Sequence, residues 1–248
     1  MRGMPRRGDR PGPVSYRSRL RGWHVWLGWI VAVPFLLWTV SGVVMVARSM
    51  EEVRGEGLLR DAASMRFDGP LVPPAVAGVP LKSLNLEQRA GGPRWVVTLA
   101  DGTVRQASPE SGALLPMLSA ADAAAQVTAR YTGTASVKSV ERTDVGKPPL
   151  ELRRPIVAWR VAMSDGTHFY VDAGSGEIVA RRTRWWRFYD FMWGLHIMDP
   201  VGREDTHNPW VIGFGLVTLV TTVLALIMLP LTIRRRKQRN KQLRLTLD

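Results

Sequence analysis

The sequence predicts a small α+β domain carried between two transmembrane helices. Two stretches, 23–47 and 209–233, contain no Asp, Glu, Lys or Arg, and each is long enough to cross a hydrocarbon core of about 30 Å as a helix. Between them, a segment that begins at Trp95 recurs without gaps from Trp159. Each copy alternates like a strand and a helix-forming stretch separates the copies, so we expect two antiparallel meanders with a covering helix.

Charge predicts the orientation of the two spans. The formal net charge of +13 is concentrated at the chain ends, with seven arginines before Trp23 and seven basic residues after Ile233. We therefore expect both termini in the cytoplasm and the central domain outside it, in the periplasm if the membrane is the inner membrane of a Gram-negative bacterium. Basic clusters beside spans attract anionic lipid, so membrane lipid and not nucleic acid is the expected partner.

In chain order, residues 1–22 are predicted to be a basic cytoplasmic lead without a fold. The span 23–47 is predicted to be an uncleaved signal anchor. Gly28 and Gly42 fall on one face of this helix, where small residues let another helix approach closely. A homodimer or a partner membrane protein would pack on this face.

The periplasmic domain is predicted over 48–184, with repeat units at about 69–117 and 119–183. Each copy contains an Asp-Gly turn suited to a hairpin and a Ser-Gly turn leading to a third strand. Between the copies, a helix is expected from a Ser119 cap to Tyr131, with Gly133 placed to end it. The identical pairs that define the repeat are Trp95/Trp159, Val97/Val161, Asp101/Asp165, Gly102/Gly166, Thr103/Thr167, Ser111/Ser175 and Gly112/Gly176.

The stretch after the domain predicts an interfacial amphipathic helix over 185–200, since it is aromatic but too short and too charged to span. Asn208 and Pro209 then suit the N-cap and the first position of the second transmembrane helix, 209–233. Residues 234–248 are predicted to be a basic cytoplasmic tail.

The second copy and its preceding helix resemble a PepSY domain, which ends in a hairpin followed by an Asp, a Gly and an acidic residue. Here these are Asp172, Gly176 and Glu177. The first copy has Ser108 and Ala113 at the first and last of these places, and so resembles a degenerate PepSY unit. HVWLGW and SGVV in the first span, and LH before the second, resemble PepSY-associated transmembrane proteins. The resemblance covers most of the chain beyond residue 20.

This resemblance implies two functional themes. Larger four-helix members are inner-membrane reductases in siderophore and iron uptake, and some hold haem through membrane histidines. Isolated PepSY domains are thought to bind or restrain peptidases. This chain has half the usual number of spans, so a complete electron pathway would require a dimer.

Three histidines are candidate haem ligands: His196, His24 and His207. For each there is a plain alternative: His24 and His196 as imidazoles at the membrane boundary, His207 as a surface loop residue. His24 and His196 are expected on opposite sides of the membrane, about 30 Å or more apart, so they cannot share an iron in one monomer. A bis-histidine site would need His196 with His207, or residues from two subunits.

Two further polar features have weaker interpretations. The acidic residues Asp199, Glu204 and Asp205 with His207 would suit a divalent metal, but a polar loop explains them equally well. His168 is expected to be an exposed sheet residue.

The chain lacks the motifs of hydrolases, kinases and dinucleotide enzymes, which weakens those three interpretations. Two other classes of function stay open. The first is an accessory in iron or siderophore-iron reduction or uptake, with haem bound by the membrane-edge histidines; its enzymatic form would be a haem-dependent membrane reductase component. The second is a non-enzymatic, membrane-anchored module that binds a periplasmic partner such as a peptidase.

Overall fold

The computed structural model describes residues 16–76 and 78–245, which cluster into two units. The helical unit holds the described residues up to 43 and from 192 onward, and the sheet unit holds those of 44–191. Residues 1–15 of the predicted lead and 246–248 of the predicted tail lie outside the described residues. The helices are α1 (Tyr16–Val46), α2 (Met50–Arg54), α3 (Ala120–Thr128), α4 (Arg184–His196) and α5 (Pro209–Leu245). The strands are β1 (Leu81–Arg89), β2 (Gly92–Leu99), β3 (Val104–Ala107), β4 (Val137–Arg142), β5 (Ala158–Met163), β6 (His168–Asp172) and β7 (Ile178–Arg182).

Two of these helices are long and apolar enough to cross a membrane. They run over Ser18–Val46 and Pro209–Pro230, with mean hydropathy of 2.1 and 2.5. This confirms the prediction of two apolar helices flanking the sheet region. The basic flanks differ from expectation, because α1 begins at Tyr16 and α5 continues to Leu245. Arg and Lys are good helix formers, and an existing helix propagates through them at little cost.

The sheet unit contains two antiparallel sheets, which confirms the α+β class. The strand orders are β1-β2-β3 and β4-β5-β6-β7. Trp95 pairs with Ala107 in the first sheet and Trp159 with Val171 in the second, so the register repeats with the sequence. In both hairpins the turn aspartate accepts a hydrogen bond of 2.8 Å from the N–H of the threonine two residues later.

The two copies also differ from the expected meanders. Each sheet has one strand more than expected. It precedes the predicted hairpin and is β1 in the first sheet and β4 in the second. The third strand of the first copy is reduced to one bridge, Ala107 with Leu114, whereas β7 is complete in the second copy. The first copy is therefore the less regular one.

Helix α3 has the predicted Ser119 cap, in a capping box with Asp122. It ends at Thr128, before the expected end at Tyr131. The physical reason is competition for the backbone. Tyr131 forms a bridge with Leu59, which draws the chain out of the helix.

The core of the sheet unit lies on both faces of the four-stranded sheet. On one face α3 packs over Val161, Phe169 and Val171. On the other, the β4–β5 connection places Leu152 over the fully buried Tyr170.

Candidate functional site

The candidate site lies in the helical unit, at the end of α4, where the backbone fixes the position of His196. Met198 adopts a left-handed φ of 56°. Its N–H donates to the carbonyl of Leu195 at 3.2 Å, and the N–H of Asp199 donates to that of Gly194 at 2.9 Å. This pair of bonds is the Schellman arrangement. It makes His196 the last residue of α4, four residues before the end of the predicted helix.

The imidazole of His196 packs against α1. It stacks on Trp38, with ring centroids 4.7 Å apart and planes inclined by 20°. Its Nδ1 lies 3.1 Å from the Trp38 carbonyl oxygen and 3.1 Å from the Ser41 hydroxyl oxygen. Gly42 leaves room for the ring, since a Cβ there would lie 3.2 Å from Cε1 of His196.

These contacts determine which ring nitrogen is available. A carbonyl oxygen only accepts hydrogen bonds, so the contact with Trp38 requires the proton on Nδ1. Nε2 then carries the lone pair, and among the described residues it forms no hydrogen bond. A histidine with Nδ1 bonded to a backbone carbonyl and Nε2 open has the arrangement found in metal-ligating histidines.

His196 was expected to lie at the outer membrane surface, on a helix face that also held Asp199. The structure corrects the helix face, because Asp199 lies beyond the helix. The imidazole contacts α1 between Trp38 and Gly42. That level is roughly 6–12 Å inside the C-terminal end of α1, at 1.5 Å per residue. His196 covers Gly42, one of the two glycines of the predicted helix-contact face. The other, Gly28, stays open, because among the described residues nothing beyond the local helix backbone and its chain neighbours lies within 4 Å of a Cβ placed there.

His24 lies on the same helix but far from this site. It is half-buried, and its Nδ1 is shielded without a hydrogen-bond partner among the described residues. It precedes Trp38 by fourteen residues, which corresponds to roughly 21 Å along the helix. The two imidazoles of one chain therefore do not share a ligand.

His207 lies in the exposed loop before α5, with Nδ1 3.1 Å from the Thr206 hydroxyl oxygen. The next residue, Asn208, is the predicted N-cap, since its side-chain oxygen accepts hydrogen bonds from Trp210 N and Val211 N at 3.1 Å. His207 thus lies on a surface loop, as one of its two interpretations predicts.

The proposed divalent-metal cluster of the same loop is not assembled. The Asp199 carboxylate accepts backbone N–H groups of Gly202, Glu204 and Asp205 at 2.9–3.2 Å. These bonds lower the pKa of Asp199 and show that it closes the loop. In the ranges 16–76 and 78–245, no three His, Asp or Glu side chains are placed to hold a metal ion. In this conformation the Asp199 carboxylate is engaged by backbone groups of its own loop, as the polar-loop interpretation describes.

The sheet unit contains a polar cluster that sequence analysis missed. Glu151 accepts hydrogen bonds from His168 Nδ1 at 2.9 Å and the Tyr170 hydroxyl at 3.0 Å, and it pairs with Arg187 at 3.3 Å. His168 is thus half-buried and paired, contrary to the expected exposed strand position. No periodic signal marks Glu151, because it lies in the irregular β4–β5 connection. The cluster ties this connection and the first half of α4 to the sheet.

Comparison with protein-family models finds no match, and comparisons with curated proteins and with solved structures find no similar chain.

Proposed function

We propose that the chain is a membrane-anchored haem-binding protein of PepSY type in which His196 would hold the haem iron. The observation that carries the proposal is the fixed imidazole, with Nδ1 bonded to the Trp38 carbonyl and Nε2 open. The stacked Trp38 ring adds apolar surface against the face of the imidazole. A bound haem would supply one-electron chemistry at iron.

The proposed placement is the bacterial inner membrane, with both termini in the cytoplasm and the sheet unit in the periplasm. Two helices of sufficient length and hydropathy support it, together with the basic residues at both chain ends. In this arrangement His196 lies toward the periplasmic end of α1. A second imidazole would come from His207 or from a second copy of the chain.

The proposed physiological role is that of an accessory in iron or siderophore-iron reduction. It is supported by the resemblance of the spans to PepSY-associated transmembrane proteins. The chain itself contributes the ligand, its orientation by Trp38 and Ser41, and exclusion of water on the side that faces α1.

The test is a comparison of haem content among full-length variants purified in detergent from cells supplied with haem. We expect His196→Ala to lose the bound haem and His168→Ala to retain it, because His168 is tied to Glu151 in the sheet unit. His207→Ala identifies the second ligand if the haem becomes high-spin. Retention of a wild-type spectrum by His196→Ala would exclude the proposed ligand.

A second candidate function is a partner-binding module, and the exposed edge of β1 favours it. Arg89 and Gly92 close a two-residue hairpin, so the backbone groups of Leu84, Leu86 and Gln88 point away from β2. Such an edge can accept an extended strand of a periplasmic protein. Leu86→Pro should block this pairing while it preserves the ladder with β2, whereas Asn85→Pro should break the ladder. An identified partner that binds Leu86→Pro as tightly as wild type would contradict this edge as its site.

A further inference from the structure

A cavity of about 350 Å³ lies within the sheet unit, where the two repeats meet. Its walls come from the chain that follows α2, the tip of the β1–β2 hairpin, the C-terminal half of α3 and the turn before β7. The hairpin tip is fastened to α3 because the N–H of Ala90 donates to the side-chain oxygen of Gln126 at 3.0 Å. The cavity is therefore formed by packing between the two copies, and neither copy alone provides it.

Two arginines line this cavity and are fixed beside each other by reciprocal hydrogen bonds. The N–H of Arg60 donates to the carbonyl of Arg130 at 2.8 Å. In return, Nε of Arg130 donates to the carbonyl of Arg60 at 2.9 Å. These bonds hold the Arg60 backbone against Arg130, and both arginines line the same cavity.

Neither guanidinium forms an ion pair with a carboxylate of the described residues. In the part of the chain that the structure describes, neither Arg60 nor Arg130 lies within 4.0 Å of a carboxylate. A third arginine of the lining, Arg89, is already paired with Glu87 at 2.7 Å and donates to the Ser175 carbonyl at 2.8 Å. Arg89 is therefore part of the wall, and the binding capacity resides in the other two.

The remaining charges of the lining restrict the ligand. Asp61 and Glu177 also line the cavity, and both are exposed. Two arginines on one cavity attract an oxyanion, and the planar fork of a guanidinium matches a carboxylate. The two acids oppose excess negative charge, so a doubly charged phosphate is disfavoured relative to a singly charged carboxylate.

We propose that this cavity binds a carboxylate between Arg60 and Arg130. The carboxylate belongs to a small organic acid or to the C-terminus of a peptide, and the volume of the cavity accommodates either one. The site is independent of haem, since all of its residues lie in the sheet unit.

The test is a ligand-observed NMR titration of the full-length protein in detergent at low salt. The probes are acetate, N-acetyl-dialanine with a free carboxylate, and the same dipeptide as its C-terminal amide. We expect the free carboxylate to bind at least about fivefold more tightly than the amide. Equal affinity for acetate and the dipeptide indicates a small acid as ligand, whereas tighter binding of the dipeptide indicates a peptide C-terminus.

Charge variants connect the binding to these residues. Arg60→Gln should weaken carboxylate binding at least about fivefold, and it leaves the structural bond intact because that bond uses the Arg60 backbone. Asp61→Asn should strengthen binding about two- to fivefold by removing repulsion. Arg142→Gln is the matched control, since Arg142 is exposed outside the cavity. Undetectable binding of both acids, unchanged binding by Arg60→Gln, or tighter binding of inorganic phosphate than of acetate would overturn the proposal.

Discussion

At the scale of single residues, the proposed function depends on one imidazole whose orientation is set by α1. Serine, tryptophan and glycine at 38–42 supply a hydrogen bond, a stacking surface and an open space for His196. The histidine itself is a candidate from sequence, because it precedes the second span. Its partners are not predictable, since Ser41 and His196 are 155 residues apart and no periodicity connects them.

The two glycines of α1 provide a matched pair of variants for this contact. Gly42→Val should displace the imidazole, because even a Cβ there lies 3.2 Å from Cε1 of His196. Gly28→Val should leave the site intact, because that position is open. The thermal midpoint, followed by tryptophan fluorescence, should be lower for Gly42→Val than for Gly28→Val. Equal midpoints and equal haem content in the two variants would contradict the contact.

Glu151 gives a pH-dependent prediction. Burial alone would raise its pKa, but hydrogen bonds from His168 and Tyr170 and the charge of Arg187 together lower it below the ordinary value of 4.5. A lowered pKa means that this stabilisation is complete above about pH 5 and is lost as the pH falls through the folded-state pKa. Glu151→Gln should therefore cost about 1–3 kcal/mol at pH 7 and less at pH 3.

Chemical denaturation of the full chain at the two pH values measures this difference. The control is Glu52→Gln, which changes an exposed glutamate on α2. A stability loss for Glu151→Gln that is as large at pH 3 as at pH 7 would show that the carboxylate charge is not the cause.

At the scale of elements, the hairpins of both repeats followed from their Asp-Gly turns and alternating residues. Strands β1 and β4 were not predicted. The β1 segment LKSLNLEQR contains no β-branched residue, and four of the six residues of β4, VKSVER, are polar. Their strand conformation comes from pairing with the hairpins, a tertiary effect that outweighs local propensity. The early end of α3 has the same origin, since the Leu59–Tyr131 bridge competes with the helix.

The capping box of α3 can be tested directly. Ser119→Ala removes the acceptor for Asp122 N and the hydroxyl donor to the Asp122 carboxylate. The expected cost is about 1 kcal/mol of unfolding free energy, measured by denaturant titration. Ser119→Asn should restore most of this loss, because asparagine is an equally good cap. A loss that persists in Ser119→Asn would argue against capping as the role of Ser119.

At the scale of the whole molecule, one apolar helix precedes the sheet unit along the chain and another follows it. The proposed topology places that unit in the periplasm. The chain contains no cysteine, so a single introduced cysteine is labelled without background from native thiols. Glu110→Cys in the sheet unit should react with a membrane-impermeant maleimide in intact spheroplasts. Lys237→Cys should react only after permeabilisation. The reverse pattern would contradict the proposed orientation.

The measurement that tests the central claim most directly is the reduced absorption spectrum of His196→Gly with and without added imidazole. If Nε2 of His196 ligates the iron, wild type shows sharp α and β bands, His196→Gly loses them, and imidazole restores them by entering the vacated position. A wild-type protein without a Soret band when expressed with ample haem, or unchanged bands in His196→Gly, would contradict the account.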